Sequence, residues 1–304
     1  MPAAIVTASF LSACAGGGTV PAGSAAAPAP APAVRDAGAK CHPTSKTAKN
    51  LFVANDGGFN VLEWAPPYTK GPTTLASVKN PVAVAFDSLK HLFVTQYGTN
   101  SVLEYKAPYT GKPIGHTKIS LKAPYGIVLD DHNDLFIADF YDNRVVELAP
   151  PYTAKKAKVV ITQGITSPDG LALDAHCNLF VTNQGNGTFT EYAPPYTEAP
   201  IAMGGAGYLA LPAGIAVLGT TVYVASAGTN NVVGFAPPYT GAPTLTLPIP
   251  SSEPYGLTFD SHANMFVSLY YANEIVSYKP PYNEKPIVTL TTGLASPTGI
   301  AFGP

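Results

Sequence analysis

Charge is scarce in this sequence. Lys and Arg together number 17 and Asp and Glu 19 among 304 residues, 12% of the chain, for a formal net charge of -2. With no basic field to attract phosphate polymers, nucleic acid is excluded as a partner. No apolar run approaches the roughly 20 residues that a membrane-spanning helix requires, so no span is expected. The only route to a membrane is then an attached anchor. Also absent are a Ser-His-Asp arrangement and a Gly-x-Ser-x-Gly elbow, which removes the visible machinery of nucleophilic catalysis. What is abundant is punctuation. The 31 prolines and 28 glycines exceed what helices tolerate, because each proline inside one costs about 3 kcal/mol. Many short strands joined by turns are expected.

The N-terminus divides into two segments. Residues 1–14 hold an apolar run, Ala3 to Leu11, followed by Leu11-Ser12-Ala13-Cys14, which resembles the lipobox of bacterial lipoproteins. That resemblance implies a signal peptide with Cys14 as the lipidated residue, and Ala15 fits outer-membrane sorting; an ordinary cleaved signal would give a periplasmic or secreted protein instead. The segment lacks the Lys or Arg expected of a signal peptide, which an earlier start codon would supply. Residues 15–45 are mostly Ala, Gly, Pro, Ser, Thr and Val and read as a disordered tether, too poor in large apolar groups to offset the entropy of ordering. If Cys14 is lipidated, Cys41 and Cys177 are left either as a pair in an oxidising compartment or as two free thiols.

Residues 46–304 are repetitive. An apolar tetrad recurs as Leu51-Phe-Val-Ala54, Leu92-Phe-Val-Thr95, Leu135-Phe-Ile-Ala138, Leu179-Phe-Val-Thr182, Val222-Tyr-Val-Ala225 and Met265-Phe-Val-Ser268. In step with it run the tyrosines of Ala-Pro-Pro-Tyr-Thr or near copies, at Tyr68, Tyr109, Tyr152, Tyr196, Tyr239 and Tyr282, read as packing residues. A third marker, Pro-x-Gly before an alternating apolar stretch, begins at Pro124, Pro168, Pro212, Pro254 and Pro297, with Pro81-Val-Ala83 as a variant. One unit reads as four strands, 126–129, 135–138, 144–148 and 158–161, separated by turn residues. Four short antiparallel strands in roughly 43 residues is the signature of a propeller blade, so the expected fold is all-β, a six-bladed β-propeller. The first unit begins at its second strand and the chain ends on a first strand, Ser296 to Phe302, so the C-terminal strand should complete the first blade and close the ring.

Residues 124–145, Pro-Tyr-Gly-Ile-Val-Leu-Asp-Asp-His-Asn-Asp-Leu-Phe-Ile-Ala-Asp-Phe-Tyr-Asp-Asn-Arg-Val, resemble an NHL repeat, and the likeness recurs through 46–304. Members of that superfamily include scaffolds, sensors, gluconolactonase-like hydrolases and strictosidine synthase-like enzymes, so the likeness implies the blade and leaves activity open. In such a blade the residue after each Pro and the residues ending strand two should ring one mouth of the central channel, the expected ligand site. The candidate ligand-binding residues are Asp169, Asn183, Tyr125, Tyr255, Asp139, Asn55, Gln96, Tyr97 and Tyr270. Asp169 stands out, because its counterparts are Val82, Tyr125, Ala213, Tyr255 and Thr298, so the repeat itself demands no carboxylate there. His132, His176 and His262 fall in equivalent Asp-x-His turns of three blades and are expected on the opposite face as turn residues.

Two functions follow as expectations. One is a monomeric, exported binding module that takes a protein, peptide or glycan at the mouth. The other, from the resemblance, is a metal-dependent hydrolase of the lactonase type, with a divalent cation such as Ca²⁺ held by Asp139, Asp169, Asn183 and Asn55. The glutamate of that family's site has no match here.

Overall fold

A computed structural model of the chain describes Cys41 and residues 49–249 and 252–304. The leader, Cys14 and all of the expected tether except Cys41 lie outside the described residues. The remainder is a six-bladed β-propeller of six four-stranded antiparallel sheets. In blade three the strands are Pro124–Leu129, Leu135–Asp139, Arg144–Leu148 and Val159–Ile161, ordered from the channel outward. The apolar tetrads form the second strands, buried because each is covered on both faces by neighbouring blades. The strand Pro297–Gly303 pairs with Asn50–Asn55, so the C-terminal strand is the innermost strand of blade one and the ring is closed as expected.

One aromatic staple repeats between blades. Phe52, Phe93, Phe136, Phe180, Tyr223 and Phe266 of the second strands pack against Tyr109, Tyr152, Tyr196, Tyr239, Tyr282 and Tyr68 of the following blade, at centroid distances of 5.0–5.9 Å. The Phe266–Tyr68 pair joins blade six to blade one. Each tyrosine hydroxyl also donates to the backbone carbonyl 19 residues before it, beside the second strand of its own blade, as in Tyr152 to Asn133 at 2.8 Å. The proline-bounded tyrosine is therefore a packing residue with a fixed polar end, and the apolar contact adds about 0.5–1.5 kcal/mol per pair beyond its burial.

The Pro-x-Gly marker has a steric cause. Inner strands of adjacent blades approach so closely that a Cβ on Gly126, Gly170, Gly214 or Gly256 would lie 2.3–2.4 Å from the carbonyl oxygen of residue x in the next blade. Immediately after the proline the register with strand two slips by a β-bulge, between Pro168 and Leu171 in blade four and at the same point elsewhere. Bulges re-aim side chains. The backbone N–H that follows is taken up by a strand-two hydroxyl: Thr95 holds Ala83, Thr182 holds Gly170 and Ser268 holds Gly256.

Cys41 and Cys177 form a disulfide, with Cα atoms 5.0 Å apart. Cys177 lies in the turn joining strands Pro168–Leu173 and Leu179–Asn183, on the face opposite the mouth. His132, His176 and His262 occupy the same face, exposed, in turns where the preceding Asp accepts two backbone N–H bonds.

Candidate functional site

The bulges deliver the x residues to the channel. Val82, Tyr125, Tyr255 and Thr298 line a cavity of about 320 Å³ at the mouth, together with Asp56, Asn80, Tyr97, Glu253, Tyr270 and Tyr271. Below it a narrow throat of about 80 Å³ is lined by Asp169 and, again, Val82 and Tyr255. At the far end the channel widens into an apolar funnel of about 390 Å³ between Val84, Phe86, Leu129, Leu173 and Phe302.

Aromatic side chains form two walls. On blades two and three, Tyr125 stacks on Phe140 at 4.6 Å and meets Tyr97 edge-on at 5.8 Å, while the Tyr97 and Tyr141 hydroxyls hydrogen bond at 3.2 Å. On blade six, Tyr255 lies against Tyr270 at 6.1 Å, and Tyr270 meets Tyr271 edge-on at 5.2 Å. Asp56 sits between them and accepts a hydrogen bond from Asn80 at 3.2 Å.

Asp169 is 2% exposed and faces the throat. Its Oδ2 accepts hydrogen bonds from the Tyr255 hydroxyl and from Gln184, both at 3.3 Å. No cation pairs with it among the described residues. Burial pushes its carboxyl up to about 7, opposed by the Tyr255 hydrogen bond. The weakly basic carboxylate that an aspartate in water would be is thus not what the fold presents. The same contact holds the Tyr255 hydroxyl well above the usual phenol range, through burial first and then the Asp169 charge. Tyr125 is shifted up likewise, by burial and by Asp169.

The strand-two ends behave differently from the expectation. Asn55, Asp139 and Asn183 are fully buried and turn away from the mouth into the loop that leads to the inner strand of their own blade. Asn55 Oδ1 accepts from the Ala295 N–H and its amide donates to Asn60 and Gly293. Asn183 Oδ1 accepts from Thr166 N–H and its amide reaches Thr190. Asp139 accepts from Lys122 N–H and forms an ion pair with Arg144 at 2.7 Å. Ser226 does the same with Ala210. These oxygens satisfy loop backbone, so the four proposed metal donors are not brought together: Asp169 faces the throat and the other three are engaged elsewhere. The side chain of Gln96 is likewise turned onto its own loop, accepting from Thr99 and Ser101.

Among the described residues the acidic clusters with metal-ligand spacing lie away from the mouth, as in Asp87, His91 and Glu104. There His91 lies between the two carboxylates at 3.1 and 3.0 Å, and Asn50 with Glu63 and Asn178 with Glu191 make the equivalent contact in blades one and four. Such repetition marks a structural polar contact. Tyr125, Tyr255, Tyr97 and Tyr270, expected at the channel from the sequence, line the mouth cavity, and Asp169 lines the throat. Asn80, Glu253 and Tyr271 were not foreseen; they precede strand one or follow strand two by a residue or two, which is the signal that could have found them.

No protein-family model and no curated protein matches the chain, so the NHL likeness rests on the repeat alone. Solved structures match in fold. A chain from the crystal structure of a nidogen/laminin complex superposes with a TM-score of 0.71 at 19% identity, over 84% of this chain and 98% of that one. A streptogramin B lyase gives 0.62 at 16% identity, over 84% and 85%. A catalytically inactive virginiamycin B lyase from Staphylococcus aureus with quinupristin gives 0.63 at 14%, over 87% and 88%. At these identities the likeness is of fold: the chain is a six-bladed propeller, and its structural neighbours include both a member of a protein complex and lyases.

Proposed function

We propose that this chain is an extracytoplasmic binding module, anchored in the bacterial envelope through Cys14, that receives a protein or peptide at its tyrosine-lined mouth. The observation that carries the reading is the mouth face itself. Around the cavity, Phe59, Tyr97, Tyr141, Leu211 and Tyr271 stand exposed on the loops of five different blades. Tyrosine-rich apolar surface with few lysines is the composition of protein interfaces. A Cys41–Cys177 disulfide suits an oxidising compartment. Of the four oxygen donors that a gluconolactonase-like site would use, only Asp169 faces the channel, which weakens the hydrolase alternative without bearing on other chemistry. A glycan ligand would find stacking surfaces here, but the breadth of the exposed rim favours a polypeptide.

Selection of peptides from a displayed random library on the full chain tests this. Binders should lose at least tenfold in affinity on Tyr271→Ala or Tyr141→Ala and be indifferent to Leu89→Ala, an exposed apolar site in a turn of the opposite face. Peptides that respond only to Leu89→Ala would move the binding face to the other end of the channel.

A further inference from the structure

The mouth cavity has an unusual balance of groups. Its lining contains Tyr97, Tyr125, Tyr255, Tyr270 and Tyr271, two carboxylates, Asp56 and Glu253, and no Lys, Arg or His. Neither carboxylate belongs to an ion pair among the described residues. The aromatic planes are set nearly at right angles within each wall, 86° for Tyr97 and Tyr125 and 79° for Tyr270 and Tyr271. Five tyrosine rings and two carboxylates with no basic side chain make a lining that suits a cation, which aromatic rings and carboxylates both attract. An independent sign comes from beneath. Asp169, 2% exposed, takes both its hydrogen bonds on Oδ2, while Oδ1 accepts none among the described residues and borders the throat under Tyr255. Among the described residues only Ser277 Oγ is buried without a partner, so this Asp169 oxygen is open to the throat and can take a further donor.

We propose that this cavity is a cation site that seats the ammonium or guanidinium head of a lysine or arginine side chain presented by a partner polypeptide. The tyrosine faces form its walls, Asp56 and Glu253 supply charge, and Asp169 in the throat supplies the terminal acceptor. The volume of about 320 Å³ accommodates one such side chain, at the small end of the roughly 300–1,000 Å³ of ligand sites. The exposed apolar rim covers the polypeptide that carries it. The inference rests on the mouth being the binding face and adds the chemistry of the anchor.

The test titrates the full chain with Nα-acetyl-lysine N-methylamide and its arginine counterpart, with the norleucine and citrulline analogues as neutral isosteres and cadaverine as a free amine, followed by ligand-detected NMR. The cations should bind at least tenfold more tightly than their isosteres. The double variant Asp56→Asn/Glu253→Gln should lose at least tenfold for the cations and nothing for the isosteres, and Asp169→Asn, of equal shape, should weaken them several-fold with the fold intact by circular dichroism. Equal binding of isosteres, no binding of any cation at 20 mM (~20 mM being the weakest useful range), or indifference to the double variant overturns the proposal. Cadaverine binding more tightly than both capped residues overturns the polypeptide source. If selected peptides bind at the mouth without needing Lys or Arg, the cation chemistry fails alone; if they bind elsewhere, the mouth reading fails with it.

Discussion

The Tyr255 hydroxyl donates to Asp169 Oδ2 at 3.3 Å, although the two residues are 86 positions apart in the chain and belong to blades six and four. The contact spans blade five on the inner rim of the ring, where Ala213, the x residue of that blade, is too small to separate them. Burial pushes the Asp169 carboxyl up to about 7, and this hydrogen bond works against that rise.

Asp169 should make stability depend on pH. Its carboxyl releases a proton at about 7 when folded and near 3.9 when unfolded, so between those values the unfolded chain binds fewer protons and stability falls as pH rises. The contribution is complete below about pH 4, is lost through pH 7, and amounts to at most about 4 kcal/mol. Glu191, pushed up to about 6 by burial, acts in the same direction over a narrower window. Asp169→Asn should therefore raise the melting temperature more at pH 8 than at pH 4. Parallel pH profiles for the two proteins would show that the group ionises freely in the fold.

The inter-blade tyrosine staple has two separable parts. Tyr152→Phe keeps the contact with Phe93 and loses only the hydroxyl bond to Asn133, for about 1 kcal/mol. Tyr152→Ala also empties a buried ring site and should cost about 3–5 kcal/mol. Urea unfolding of both variants measures the split, and equal losses would mean that the ring packing is immaterial.

Ring closure rests on a single terminal strand. Deleting residues 295–304 removes the inner strand of blade one and exposes the edge of Asn50–Asn55, an unpaired edge that favours association. The truncated chain should lose its cooperative thermal transition and aggregate. A sharp transition like that of the full domain would show that the ring does not need its sixth inner strand.

Asn183 should prove structural. Asn183→Ala leaves the Thr166 N–H without its acceptor and should cost about 1–3 kcal/mol, with peptide or cation binding unaltered. Binding lost at unaltered stability would return Asn183 to the ligand site.

The blade count, the strand content and the closure were legible because each depends on features repeated in every copy: the apolar tetrad, the Pro-x-Gly and the proline-bounded tyrosine. The x residues were legible as channel residues for the opposite reason, since they are the positions at which the copies disagree. What misled was the strand-two end. Asn55, Asp139, Asn183 and Ser226 share one position and one type of atom, a short polar acceptor, where the other two blades carry Gln96 and Leu269, and such recurrence is what a backbone-holding role produces. Read for chemistry alone they look like cation ligands; only the loop that each one holds, 16 or 17 residues earlier in sequence or, for Asn55, at the other end of the chain, shows why the acceptor is needed. Glu253 and Asn80 were hidden because the position before the repeat proline is filled differently in each blade, by Asn80, Ala123, Ser167, Leu211, Glu253 and Ser296, and the Cys41–Cys177 bond because spacing carries no distance.

That bond also gives the molecule a front and a back. Cys41 is fastened to a turn of blade four on the histidine-bearing face, and the first strand departs from Asn50 on that same face. A pull on Cys41 therefore enters the propeller at that face, through a covalent bond to blade four. The tyrosine box opens on the other end of the channel, so its access is independent of the covalent fastening.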